Sequence, residues 1–248
     1  MYFGLSEDQI FFQDNVKKFL EDNAPLDLIR NISKGEDLNQ KNEIHSGIIN
    51  LGINNILVPE EHGGLGLDLL FATAISQSIG GAVAPLPYCG SYVMAPIAIQ
   101  IGASKSQKEN IFNEMSSSNI KFGIAFSEYF GSRDSSSINF SNEKINGKTI
   151  FAIDCDYATD VLVSDASGKI GIVSIEDKNI EIVDLITVDK TRTYKEIKFS
   201  NANVEILENT KKNTDAIEKA LDAGRIITAA DTLGASQAML DKAVSYSK

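Results

Sequence analysis

The residues best placed to do chemistry lie in "FSEYFGSRD", residues 126–134, where an apolar run gives way to a polar loop. Ser127 and Ser132 carry hydroxyls, the backbone around Gly131 is open to close approach, and Arg133 adds a fixed positive charge. Such a set can hold an anionic or carbonyl-rich ligand. The same residues also read as a polar loop with solvated charges, and spacing alone leaves both readings open.

A second stretch, "LVPEEHGGLGLD" at residues 57–68, is dense in glycine but lacks the pattern of a phosphate cradle. Leu69 stands where a dinucleotide fingerprint needs its third glycine, and no Gly-Lys pair makes a P-loop. His62 beside Glu60 and Glu61 is too small a donor set for a metal centre. The glycines are therefore expected to serve backbone geometry, and Asp68 to cap the helix that follows. Cys89 and Cys155, with only His45 and His62 beside them, match neither a zinc spacing nor a disulfide framework, and both are expected to be reduced. With two histidines and no nucleophile elbow, a Ser-His-Asp arrangement has no support.

Elements must position these residues, and the composition supplies them. A chain of 248 residues with 43% hydrophobic side chains can bury a sizeable core. A net charge of −11 argues against nucleic-acid or anionic-membrane partners, because a polyanion demands a positive face. No apolar run of about 20 residues suits a membrane span, and "MYFGLSEDQIFF" is not a signal peptide, so the expectation is a cytoplasmic protein.

The first part reads helical. Ser6 and Gln9 form a capping-box pattern, and Phe12, Val16, Phe19 and Leu20 recur at helical spacing, which predicts a helix over about 6–22. Further helices are predicted over about 41–50, in "LLFATAISQSIGGAVA", in "SYVMAPIAIQIG" with a kink or boundary at Pro96, and in "SKSQKENIFNEMSS" with Ser104 or Ser106 as cap. Near residue 120 the texture becomes short Ile-, Val- and Phe-rich runs separated by Asn, Gly, Asp and Ser, with "DASGK" as a hairpin turn. This predicts an antiparallel β domain. From Thr214 the helical period returns, with Ala223, Ile227, Ala230, Gly234 and Ala238 on one face, small enough for another helix to approach closely. The expected fold class is α+β: a helical domain over 1–118, an antiparallel β domain over 119–210 and a final helix over 211–248.

Taken in order, the pieces resemble the acyl-CoA dehydrogenase family. "LGINNILVPEEHGGLGLD" is similar to that family's segment LGLLGLLVPEEYGGLGLS. "GIAFSEYFGSRD" occupies the place of its ALTEPGAGSD loop. "INGKTIFAIDCDYATDVLVSD" resembles LNGxKxWITN followed by ADxxLV, and "LDAGRIITAADTLGASQAMLDKAVSYSK" the long helix that runs into RxQFG.

The resemblance implies that the β domain is barrel-like and that 211–248 is the first helix of an incomplete C-terminal four-helix bundle. It implies FAD as cofactor, an acyl-CoA thioester as substrate, α,β-dehydrogenation to a trans-2-enoyl-CoA, an electron-transfer flavoprotein as acceptor, and a homotetramer or another homo- or hetero-oligomer of family members. It places Phe126, Ser127, Phe151 and Ile153 at the cofactor, and Ser132 and Arg133 at the substrate. The catalytic glutamate it implies lies beyond Lys248, so no base is nominated and this stretch alone is expected to be inactive. Departures from the pattern are specific. Phe151 stands at the family's tryptophan, Ile153 at a threonine, Asp154 at an asparagine, Tyr129 at the proline and Arg133 at the serine. Because Ile153 cannot donate a side-chain hydrogen bond, a divergent branch is implied. The alternatives are a non-catalytic assembly subunit of a heteromeric dehydrogenase, and an acyl-CoA oxidase or flavin monooxygenase on the same fold.

Overall fold

The computed structural model describes residues 4–130 and 138–248. Among the described residues six α-helices precede the sheet and one long α-helix follows it. The first, α1 (Glu7–Asn23), begins as its sequence dictates: the Ser6 hydroxyl accepts from the Gln9 N–H while the Gln9 side chain accepts from the Ser6 N–H. Next come α2 (Leu26–Ile32), α3 (Leu38–Asn50) and α4 (Leu69–Ala82), the last capped by Asp68, which accepts from the N–H groups of Leu70 and Phe71. The segment α2 is absent from the sequence expectation. Its seven residues between Pro25 and Gly35 are too few for a helical period to stand out.

Pro96 does mark a boundary. A π-helical segment, Tyr88–Met94, runs up to it, and α5 (Ala95–Gly102) carries the proline in its first turn, where a missing N–H costs nothing. Ser104, rather than Ser106, caps α6 (Lys105–Ser116) through a second capping box with Gln107.

The strands are β1 (Phe122–Ala125), β2 (Asn139–Ser141), β3 (Lys144–Ile153), β4 (Asp160–Ser164), β5 (Ile170–Ser174), β6 (Ile180–Leu185), β7 (Tyr194–Asn203) and β8 (Glu205–Ile206). They form one sheet in the order β6-β7-β3-β1-β4-β5-β8, with β2 beside β3. One pairing departs from the antiparallel expectation: β1 and β4 run parallel. The cause is topological, because β3 and β4 reverse direction through residues 154–159 yet lie on opposite sides of β1. The "DASGK" turn joins β4 to β5 as read, with Gly168 at φ 86°.

One face of the sheet packs Phe122, Ile124, Leu162 and Ile170 against α5, α6 and the start of α7 (Asn213–Tyr246). The other face keeps its own core of Ile145, Val161, Val173, Ile197 and Phe199. Helix α7 ties the layers together. Its Ala216, Ile217 and Ala220 join the sheet-facing core, and its Ala223 and Ile227 join the core of α1, α3 and α4. Further along, α4 and α7 touch backbone to backbone: a Cβ on Gly234 would fall 1.9 Å from the Gln77 carbonyl oxygen, and one on Gly80 2.0 Å from that of Asp231. The small-residue face read from the sequence is thus the contact face.

Candidate functional site

The glycine-rich stretch folds into a closed turn. Pro59 starts a 3-10 turn, Glu60–His62, and Gly63 (φ 83°) and Gly66 (φ 60°) take the left-handed backbone that ends it. Gly64 lies so near Val58 that a Cβ would sit 2.1 Å from the Val58 carbonyl oxygen. His62 packs against Phe112, ring centroids 5.6 Å apart, with Glu61 at 3.6 Å. No group of three His, Cys, Asp or Glu side chains suited to a metal ion occurs among the described residues. The turn joins the helical elements on either side of it.

Both cysteines are free, and burial, the largest influence on each, pushes their thiols up to about 12. Burial thus disfavours the thiolate form of both.

A different picture emerges where β1 and β3 end beside the helical layer. Ile124 of β1 pairs with Ile153 of β3, which brings the residues after Ala125 alongside the last turns of β3. Ser127 and Thr149 share a hydrogen bond of 3.0 Å between their hydroxyls, and Thr149 is fully buried. Phe126, only 3% exposed, turns into the sheet-facing core, so what it can offer a ligand is its backbone. Ile153 packs on the same core and against Gly90. Phe151 does the opposite and stands 56% exposed, an unusual position for a phenyl ring. The reason is local: Phe151 has φ 57°, and the register with β7 slips between Thr149 and Ala152, a bulge that swings the ring out of the alternation.

Asp154 closes this group. Its carboxylate accepts from the Gly90 N–H at 2.5 Å and the Ser91 N–H at 3.4 Å, at the start of the π-helical segment. Burial raises its pKa to about 6, against the opposing pull of the Gly90 hydrogen bond and the Arg192 charge.

The structure thus joins Ser127 to Thr149 and sets Phe126 and Ile153 on one core, while the exposed Phe151 lies between Thr149 and Ile153 along β3. Ser132 and Arg133 lie outside the described residues. Sequence reasoning did not single out Thr149 as a partner of Ser127, although a hydroxyl two residues before Phe151 on the same strand was a usable signal. Nor did it foresee that Asp154 would be tied to Gly90, 64 residues away.

Comparison with known proteins agrees with this architecture. Residues 6–119 match the acyl-CoA dehydrogenase N-terminal domain. Over these residues the chain carries the N-terminal domain of the acyl-CoA dehydrogenase family. It is 26% identical over 270 residues to the mitochondrial isovaleryl-CoA dehydrogenase of Pongo abelii, an alignment covering 98% of this chain and 63% of that protein. Among solved structures, a glutaryl-coenzyme A dehydrogenase in complex with glutaryl-CoA superposes with a TM-score of 0.82 at 20% identity, over 99% of this chain and 68% of that one. The ChsE4-ChsE5 complex from Mycobacterium tuberculosis gives the same TM-score, 0.82, at 18% identity, over 99% and 68%. Such distant structural likeness speaks for the fold alone. The chain spans about three-fifths of the length of the curated relatives it matches.

Proposed function

We propose that the chain is the N-terminal and middle portion of an FAD-dependent acyl-CoA dehydrogenase that converts an acyl-CoA thioester to a trans-2-enoyl-CoA. The observation that carries this reading is the seam at the ends of β1 and β3. There β3 carries an exposed Phe151 ring two residues after Thr149, whose hydroxyl bonds that of Ser127, in a family whose chemistry is flavin chemistry.

The residues present fit a planar, partly polar cofactor. Phe151 offers a ring face for stacking, Ser127 a hydroxyl, Phe126 its backbone, and Ile153 an apolar surface that excludes water. FAD, when bound, supplies the two-electron acceptor that no side chain can provide. Ser132 and Arg133 are assigned to the substrate, where a guanidinium suits the phosphates of coenzyme A. The complete protein is expected to act in the cytoplasm as an oligomer, a homotetramer in the simplest case, and to pass electrons to an electron-transfer flavoprotein.

The test is an absorption spectrum of the complete protein before and after anaerobic addition of a panel of acyl-CoA thioesters. A flavin band that bleaches with one thioester supports the reading and identifies the substrate class. Flavin that is bound but bleached by no thioester contradicts it. An Arg133→Ala variant should raise the thioester KM, and an unchanged KM would remove Arg133 from the substrate site.

A second reading, a non-catalytic subunit that supports a catalytic homologue, is favoured by Ile153. Its side chain cannot donate a hydrogen bond where the family pattern has a threonine. The likeness to a two-component complex is compatible with it. A complete protein that takes up no FAD yet co-purifies with a flavin-loaded homologue would establish it.

A further inference from the structure

The four residues after Ile153 are each gripped by a different part of the molecule. Asp154 holds the N–H groups of Gly90 and Ser91. Gly90 has no room for a side chain, since a Cβ would lie 2.9 Å from the Asp154 carboxylate and 3.1 Å from Ile153. Cys155 lies over Gly123 of β1, where a Cβ would come within 2.5 Å of its sulfur. Asp156 bridges Lys41 of α3 at 3.0 Å and Lys195 of β7 at 2.8 Å. The Tyr157 ring stacks on His45 of α3 with centroids 3.9 Å apart, and Lys41 lies 5.5 Å from the same ring. His45 in turn meets the Tyr92 hydroxyl at 2.7 Å, on the π-helical segment that also holds Asp154.

A β3–β4 turn does not require this much. The segment it secures contains two residues with side chains, Phe151 and Asp154, in left-handed backbone at φ 57° and φ 58°. Strain of that kind persists only where surrounding contacts over-determine it. Ile153 lies between the two kinks.

We infer that Asp154 is a positioning residue for the cofactor wall, its carboxylate fixing the kinks that turn Phe151 outward and Ile153 inward, while Asp156 and Tyr157 secure the same loop from α3 and β7. This inference rests on the reading above that Phe151 and Ile153 face FAD.

The test uses the complete protein as wild type, Asp154→Ala, Asp154→Asn and Lys41→Ala. It reads FAD affinity by fluorescence quenching, the visible absorption envelope of bound flavin, and hydrogen exchange of the FAD-free protein over residues 149–158. Asp154→Ala should weaken FAD binding roughly tenfold or more, shift the flavin envelope and speed exchange across 149–158. Asp154→Asn keeps an oxygen acceptor for Gly90 and should restore affinity to within about threefold. Lys41→Ala should weaken binding roughly threefold. An Asp154→Ala protein with wild-type affinity, envelope and exchange overturns the inference while leaving the functional reading intact. A wild type that binds no FAD overturns that reading and, with it, the cofactor role of Asp154. Should Asp154→Ala fail to fold, Lys41→Ala decides: wild-type FAD affinity and exchange there also overturn the inference.

Discussion

Two sharp bends in this chain solve the same backbone problem in opposite ways. At residues 57–68 the left-handed positions fall on Gly63 and Gly66, and the turn closes on itself through hydrogen bonds such as Gly66 N–H to Val58 C=O at 2.8 Å. At residues 151–157 they fall on Phe151 and Asp154, and the conformation is held by α3, β1, β7 and the π-helical segment. Glycine takes such a backbone at no steric cost, whereas a residue with a Cβ has to be held there. The first bend therefore needs no side chain, while the second orients one. This difference separates a structural turn from a candidate cofactor wall more clearly than glycine content, which points to the wrong one.

Variants can break the comparison, beginning with the largest effect. Gly64→Ala must push a methyl group into the Val58 carbonyl and should cost about 3 kcal/mol in urea unfolding. A loss near zero would show that the turn is not fixed by close approach.

The next effect is one of pH. Burial raises the Asp154 carboxyl from 3.8 to about 6, so the folded protein binds its proton before the unfolded chain does. Its contribution to stability is then full below about pH 4 and lost as pH rises through 6. His45 opposes it. Burial lowers the imidazole from 6.5 to about 4, so its contribution is full above 6.5 and lost as pH falls toward 4. Thermal melts between pH 4 and 7 should show Asp154→Asn losing the first slope, on the order of 1–3 kcal/mol, and His45→Gln exposing it. Parallel pH profiles in both variants and wild type would sever these groups from the fold's pH response.

Phe151→Ala comes third. Because the ring is exposed, stability should change by no more than about 0.5 kcal/mol, while FAD affinity falls roughly three- to tenfold. The smallest effect belongs to His62→Gln, with a stability change of about 0.5 kcal/mol or less and unaltered FAD binding. A larger change in FAD affinity for His62→Gln than for Phe151→Ala would reverse the assignment of the two bends.

What the sequence reveals follows the range of the interactions involved. Ser6, Asp68 and Ser104 announce their helices because a cap bonds only two or three residues away. The α7 contact face was readable from Ala223, Ile227, Ala230 and Gly234, since helical spacing is itself a local property. The parallel pairing of β1 with β4 was not, because it depends on how β3 and β4 straddle a third strand. Phe126, Ser127, Phe151 and Ile153 were nominated through resemblance; the structure sets Phe126 and Ile153 on one core, bonds Ser127 to Thr149 and leaves Phe151 exposed. The outward turn of Phe151 comes from a bulge that simple alternation does not foresee. The role of Asp154 was hidden as well, since its partners Gly90 and Ser91 carry no side-chain signature of an anion site. Their contribution comes from two backbone N–H groups brought close only by folding.

The most direct test of the central claim, that the ends of β1 and β3 form the cofactor wall, is an equilibrium titration of the FAD-free complete protein with FAD. Wild type, Phe151→Ala and Ser127→Ala would be compared at one pH and salt concentration. The account predicts saturable binding by the wild type and weaker binding by both variants, with Phe151→Ala unfolding at the same urea concentration as wild type and Ser127→Ala somewhat lower because it leaves the Thr149 hydroxyl unpaired. Equal FAD affinity in all three would contradict it.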